Sequence, residues 1–212
     1  MKTLPISLAV LLQATLSFGQ GYIAFNNTST TRVSTNGTLQ AAAPVGTWYY
    51  ALLVAPATQN TIDDAFTGWT FAGYGTNTAL AGRMSGNSSP DSFAIQVPGF
   101  GSTATADFAV VGWSAYLGDW NAFLAWWKRW PNPISPGWHG ISVVANDIPL
   151  APLGGPYNSV FGPAALGQIP GLNMVFVPPV PEPGNAALAL IAVAAALSLR
   201  ATRPTPETQN RK

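Results

Sequence analysis

Few side chains in this sequence could do chemistry, and the first candidate is His139, in the segment SPGWHG. It is the one histidine, and the chain has no cysteine, which excludes a zinc site built from such ligands. Ser114, in GWSAY, matches part of a nucleophile-elbow motif and could in principle form a triad with His139 and an aspartate. However, Ser114 lies inside an alternating apolar run, and a lone histidine beside glycine and tryptophan is typical of a surface turn. We therefore expect no catalytic residues, no metal site and no cofactor.

The carboxylates give no stronger signal for catalysis. Residues 20–178 contain six aspartates and no glutamate. Asp63 and Asp64 are adjacent in the turn-like segment NTIDDAF, and nothing singles out a pair such as Asp107 and Asp119. A glycoside hydrolase needs two facing carboxylates, and calcium needs clustered oxygen ligands. The sequence predicts neither, although it leaves open a single stabilising ion.

Tryptophan is the most unusual feature, because six of the eight lie between Trp113 and Trp138. The segment DWNAFLAWWKRW begins with Asp119, a good N-cap residue, and stops before Pro131. At about 100° per residue its aromatic side chains and Leu124 share an arc roughly 160° wide, which predicts an amphipathic helix. These rings could cover a sheet, or they could stack on sugars as a glycan-binding platform. Trp113 is expected in the core, whereas Trp126 and Trp130, at the edge of the arc, are expected to be exposed. The candidate glycan-binding residues are Trp126, Trp130 and Trp138.

Composition limits the partners. Charged residues make up 8% of the chain, against about a quarter in ordinary globular proteins. Residues 20–178 carry only four basic side chains against the six aspartates, so this segment is slightly acidic. Without a basic patch to neutralise phosphates, nucleic acid is not an expected partner.

The segment 20–178 shows the pattern of an all-β domain. Its apolar runs are short, they often alternate, and turn-like clusters separate them, which favours an antiparallel β-sandwich with the one short helix inserted. The predicted strand runs are GYIAFNN, TWYYALLVAP, SFAIQVPG, ADFAVVGWSAY, GISVVAND and LNMVFVPP, and the predicted turns include TNGT, AGYGTN, SGNSSPD and PGFGST.

Residues 1–19 have the pattern of a secretory signal peptide. Lys2 supplies the positive start, LPISLAVLLQATL is the apolar stretch, and Ser17 and Gly19 are small residues suited to cleavage before Gln20. The apolar stretch is short and interrupted, unlike a spanning helix. We therefore expect export of the chain.

The end of the chain, residues 179–212, has three parts. Val180-Pro181-Glu182-Pro183 is a stiff, extended segment, because proline fixes its own φ and restricts the residue before it. Residues 185–199 carry no charge and are mostly Ala and Leu, and at about 1.5 Å each they span roughly 22 Å as a helix. Arg200 and Arg203 open a basic end, residues 200–212, that resists translocation. The pattern predicts a short transmembrane helix that keeps residues 20–178 outside the cell.

This ending resembles the PEP-CTERM sorting signal of exported bacterial proteins. The resemblance implies that an exosortase, a membrane-embedded cysteine transpeptidase, recognises Pro181, Glu182 and Pro183. It also implies cutting near this motif, followed by release of the protein or its attachment at the cell surface. Asn185 stands where threonine is common in the family, and a polar extension follows Arg203. A GPI-anchor signal is a competing interpretation, but the polar ending with its four basic residues argues against it.

The middle of the chain is similar to a subgroup of PEP-CTERM proteins. The matching pieces are Gln20-Gly21 with Phe25-Asn26-Asn27, Pro98-Gly99 with Trp113, and Phe161-Gly162 with Ile169-Pro170-Gly171. The resemblance names no activity. It implies a structural or adhesive role at the envelope or in an exopolysaccharide matrix, without catalysis. The alternative is a carbohydrate-binding module that uses the aromatic cluster at residues 120–138.

Overall fold

A computed structural model describes residues 19–86, 93–130, 133, 135–179 and 192–194 of the chain. Several predicted features lie outside these residues: the signal peptide up to residue 18, the motif Pro181–Pro183, most of the transmembrane helix, and Arg200 and Arg203. The strands are β1 (Gln20–Ala24), β2 (Val33–Thr35), β3 (Thr38–Leu39), β4 (Trp48–Pro56), β5 (Thr70–Asn77), β6 (Met84–Gly86), β7 (Ala94–Gly101), β8 (Thr105–Ser114), β9 (Gly137–Ile141), β10 (Ala145–Pro149) and β11 (Leu172–Val177). The helix α1 is Trp120–Trp127, and short 3-10 turns occur at Ala115–Leu117 and Ala164–Leu166. Within the described ranges, no helix has the length and apolar character needed to cross a membrane.

Most strands form one large sheet in the order β3-β2-β11-β9-β8-β4-β5-β6. β4 pairs with β8 along nearly its whole length, while β9 and β10 pair with different parts of β8. β1 and β7 form a separate two-stranded sheet. Pairing is antiparallel except between β2 and β11, which run parallel. The prediction of an all-β body with one short helix is therefore confirmed.

The two central strands are apolar on both faces because each face of the large sheet is covered. Tyr50 and Leu52 of β4 point into an inner core, which also contains Ile23 of β1 and Val97 of β7. The alternate residues of β4 point into a helix-side core, where Leu53 packs with side chains of α1. Burial on both faces explains why β4 and β8 appear in the sequence as continuous apolar runs.

Two segments predicted as turns are parts of strands instead. AGYGTN belongs to β5, and the Pro98–Gly101 part of PGFGST belongs to β7. In β5 a Cβ on Gly73 would lie 3.0 Å from the Ile95 side chain, and one on Gly75 would lie 2.9 Å from the Ser85 carbonyl oxygen. These glycines allow a neighbouring layer to approach the strand closely, so here they do not mark a turn.

Candidate functional site

The helix that carries the aromatic residues begins as the sequence predicts. The Asp119 carboxylate accepts a hydrogen bond from the Ala122 backbone N–H at 2.9 Å, which caps the first turn. The regular helix ends at Trp127, and the chain continues as a turn in which the Trp130 N–H donates to the Trp127 carbonyl at 2.9 Å. Trp130 therefore lies just beyond the helix end.

The helix packs its rings onto the large sheet. Phe123 stacks on Trp113 of β8 with ring centroids 4.9 Å apart, and both side chains are fully buried. The prediction that Trp113 belongs to the core is confirmed. The aromatic residues of α1 thus cover the sheet, which was one of the two interpretations of the sequence.

The expectation that Trp126 is exposed is wrong. Its side chain is 8% exposed, and its indole N–H donates to the Ser135 carbonyl at 2.9 Å. The backbone of Gly137 lies against the ring, where a Cβ would be 2.9 Å from the Trp126 Cζ2 atom. The loop that returns from the helix to β9 therefore covers Trp126.

The other two candidate residues are separated from each other. Trp138 is half-buried and contacts Trp48 and Phe176 at one end of the inner core, so it does not join the rings of α1. Trp130 is 43% exposed and stacks on Trp127 with an angle of 14° between the rings. Of the three candidates, only Trp130 keeps a large exposed aromatic surface on the helix side of the sheet.

His139 is buried rather than at a surface turn. It lies on β9 opposite Trp113 of β8, and the rings of Trp126, Trp127 and Trp130 surround it at centroid distances of 5.9, 4.7 and 5.2 Å. Its side chain is 8% exposed, and neither ring nitrogen has a hydrogen-bond partner among the described residues. Burial lowers the pKa of His139, and the nearby Asp64 carboxylate partly opposes this effect.

The structure does not assemble the triad considered from the sequence. Trp113 and His139 are paired across neighbouring strands and share the helix-side face, whereas Ser114 follows Trp113 directly and points to the other face. The Ser114 hydroxyl accepts a hydrogen bond from the Trp138 backbone N–H at 3.1 Å. Ser114 and His139 therefore lie on opposite sides of the sheet.

The aspartates are dispersed as well. Among the described residues, no group of three His, Cys, Asp or Glu side chains is arranged to hold a metal ion. Asp107 is fully buried on β8. One carboxylate oxygen accepts the Asp147 N–H at 2.7 Å, and the other has no hydrogen-bond partner in the part of the chain that the structure describes. Burial raises the pKa of Asp107.

The loop between β4 and β5, residues 57–69, reaches the C-terminal half of α1. The Asp63 carboxylate accepts the Thr67 N–H at 2.8 Å, which closes a tight turn. Within this turn Phe66 has φ of 55°, a left-handed conformation that bulky residues rarely adopt, and its buried ring packs on Trp127. The Trp127 indole N–H donates to the Asp64 carbonyl at 2.6 Å and joins the loop to the helix.

Between this loop and the helix end lies an open pocket of about 350 Å³. The residues that line it are Asp64, Ala65, Phe66, Leu124, Trp127, Lys128 and Trp130. Its interior is mainly apolar, and its two charged side chains, Asp64 and Lys128, are both exposed. We call these seven residues the helix-end pocket.

The sequence did not single out Asp64, Phe66 or Lys128 as site residues. Asp64 and Trp127 are 63 positions apart, and no local pattern joins them. A comparison with known proteins finds no matching family model, no matching curated protein and no matching solved structure.

Proposed function

We propose that the chain is an exported cell-surface protein whose C-terminal segment, residues 179–212, is a PEP-CTERM sorting signal processed by an exosortase. Residues 1–19 would be removed as a signal peptide, and Pro181, Glu182 and Pro183 would be recognised by the processing enzyme. The helix at 185–199, with Arg200 and Arg203 behind it, would hold the chain in the membrane until it is processed. Residues 20–178 would form a β-sandwich ectodomain with a structural or adhesive role in the envelope or the exopolysaccharide matrix.

The observation that carries the proposal is the position of the folded body in the chain. The first described strand begins at Gln20, and the last ends at Val177. The strands therefore occupy the interval between the two segments assigned to export and sorting. Cleavage before Gln20 and beyond residue 179 would leave every described strand in the product.

A non-catalytic role is supported by the surroundings of the polar side chains. His139 is enclosed by tryptophan rings, and Ser114 lies on the opposite side of the sheet. Asp107 is fully buried. General acid–base chemistry requires groups within hydrogen-bond reach of a substrate, and these three side chains lie apart and below the surface.

The test is the intact mass of the protein from the producing cells, with and without the exosortase. The proposal expects a mass that begins at Gln20 and ends near Pro183 only when the enzyme is present. Replacement of Pro181, Glu182 and Pro183 by alanine should give the unprocessed mass, while Glu207→Ala, outside the motif, should leave processing unchanged. A chain that retains residues up to Lys212 in both strains would contradict the proposal.

A further inference from the structure

Trp130 is an exposed aromatic residue that the fold holds in place. Its ring is 43% exposed, yet one side stacks on Trp127, with centroids 5.8 Å apart, and His139 packs against it at 5.2 Å. The ring borders the helix-end pocket and offers it a rigid apolar surface that a ligand can contact without first ordering it.

The pocket is preformed and sized for a small ligand. Its volume of about 350 Å³ lies near the lower end of the range of about 300 to 1,000 Å³ found for small-molecule sites. The Trp127–Asp64 hydrogen bond fixes the distance between loop and helix, and Phe66 reaches the pocket through a left-handed backbone conformation. The Phe66 ring is also part of the helix-side core, where it packs on Trp120 and Trp127, so this wall of the pocket belongs to the packed body of the protein.

The polar groups of the pocket indicate the chemistry of the ligand. The Asp64 carboxylate can only accept hydrogen bonds, and the Lys128 ammonium can only donate them. A pyranose ring matches this set, because its hydroxyl groups both donate and accept while its C–H face is apolar and can lie on an indole ring. A simple acyl chain would contact only the apolar walls and would use neither charged group.

We propose that the helix-end pocket binds one neutral pyranose unit of an extracellular polysaccharide, which stacks on Trp130 and hydrogen-bonds to Asp64 and Lys128. The unit is neutral because the pocket carries one negative and one positive side chain, Asp64 and Lys128, and therefore has no net charge to attract an anionic sugar. This ligand gives the pocket a function that export and sorting do not require. The assignment replaces Trp126 and Trp138, which the sequence favoured, by Asp64, Phe66, Trp127 and Lys128.

The test is a titration of the full-length chain, in a sugar-free detergent, with neutral tetrasaccharides built from glucose, mannose, galactose or N-acetylglucosamine. Tryptophan fluorescence and calorimetry report binding, and we expect a blue shift of the emission because Trp130 loses contact with water. Trp130→Ala should weaken binding by about tenfold or more, and Trp130→Phe should weaken it less because a ring remains. Asp64→Asn and Lys128→Met should each weaken binding severalfold and leave the fold intact, since both side chains are exposed.

The matched control is Phe176→Ala. Phe176 is 45% exposed, like Trp130, but it contacts Trp138 at one end of the inner core. Its removal should not change saccharide binding.

The proposal is overturned if no tetrasaccharide binds at millimolar concentration, or if binding survives Trp130→Ala as well as it survives Phe176→Ala. Tighter binding of adenosine monophosphate or of a fatty acid at the same residues would also overturn it. Thermal melting of each variant separates loss of the site from loss of the fold, and if Trp130→Ala unfolds, Asp64→Asn and Lys128→Met decide the result.

Discussion

His139 should make the stability of this protein fall in mild acid, and His139→Leu should remove that dependence. It is the one histidine of the sequence, so no other side chain has an ordinary pKa between pH 5 and 8. Both of its ring nitrogens are buried without a hydrogen-bond partner among the described residues. An imidazolium ion in this position would have lost its water without gaining a partner.

The sign follows from proton linkage. Burial lowers the pKa of His139 in the folded chain, while in the unfolded chain the pKa is ordinary, about 6.5. The stabilising contribution is therefore complete above pH 6.5 and is lost as the pH falls from 6.5 toward the pKa of the folded state. One proton changes the free energy of unfolding by at most about 1.4 kcal/mol per pH unit, which sets the upper limit of the slope.

Asp107 acts in the opposite direction and must be separated from this effect. Its pKa is raised by burial, so its contribution to stability is complete below its unfolded pKa and is lost as the pH rises through its folded pKa. The pH dependence of the unmodified chain alone is therefore ambiguous. The difference between the chain and its His139→Leu variant isolates the histidine, because both retain Asp107.

The assay is urea unfolding of both proteins between pH 7.5 and 5.5, followed by tryptophan fluorescence. We expect the difference in free energy of unfolding between the two to shift in favour of the leucine variant as the pH falls. Val177→Ala is the control, since Val177 is buried in the same helix-side core and does not titrate. It should lower stability equally at every pH. Parallel pH profiles for the unmodified chain and His139→Leu would refute the assignment of His139 as a buried neutral imidazole.

Three further substitutions test the fold. Relative to the unmodified chain, Asp107→Asn should be more stable at pH 7 than at pH 4, because it removes a buried ionisable group whose raised pKa favours the folded chain at low pH. The amide oxygen can still accept the Asp147 N–H. Urea titrations of both proteins at pH 7 and 4 measure the difference. Asp119→Ala should cost about 1 kcal/mol by removing the helix cap, and Asp119→Asn should restore most of it in the same titration. Tyr50→Phe should lower the free energy of unfolding by about 1 to 3 kcal/mol, because the buried Gln40 side-chain oxygen loses the hydroxyl that donates to it at 3.1 Å. Urea unfolding measures the change, and an unchanged stability would argue against this bond.

Local sequence patterns predicted the elements whose formation depends on residues within the same element. The apolar runs of β4 and β8 and the cap residue Asp119 all lie within one element, and the structure has the predicted strands and helix there. The same patterns failed at Gly73 and Gly75. Both glycines are explained by contacts from β6 and β7, which no local pattern contains.

The site could be predicted only in part for the same reason. An aromatic arc identifies which residues face the sheet, but it does not indicate what else covers them. The loop at Ser135 buries Trp126, and the loop at Asp64 reaches Trp127 from a distance of 63 residues. His139 was expected at a surface turn from its neighbours in sequence, but the rings that bury it come from α1 and from the turn that follows it.

Packing against the sheet explains most of the tryptophans near the helix, but it explains Trp130 only in part. The helix-side face of the large sheet is covered within the described residues by a helix of eight residues and one loop, so each covering side chain must be large. Trp126 and Trp127 meet that need, because they are buried and their indole N–H groups are hydrogen-bonded to backbone carbonyls. Trp130 meets it only in part, since it packs on Trp127 and His139 while much of its ring faces water. This partly exposed ring lies at the edge of a pocket with one carboxylate and one ammonium, and that is where a ligand of this protein should be sought.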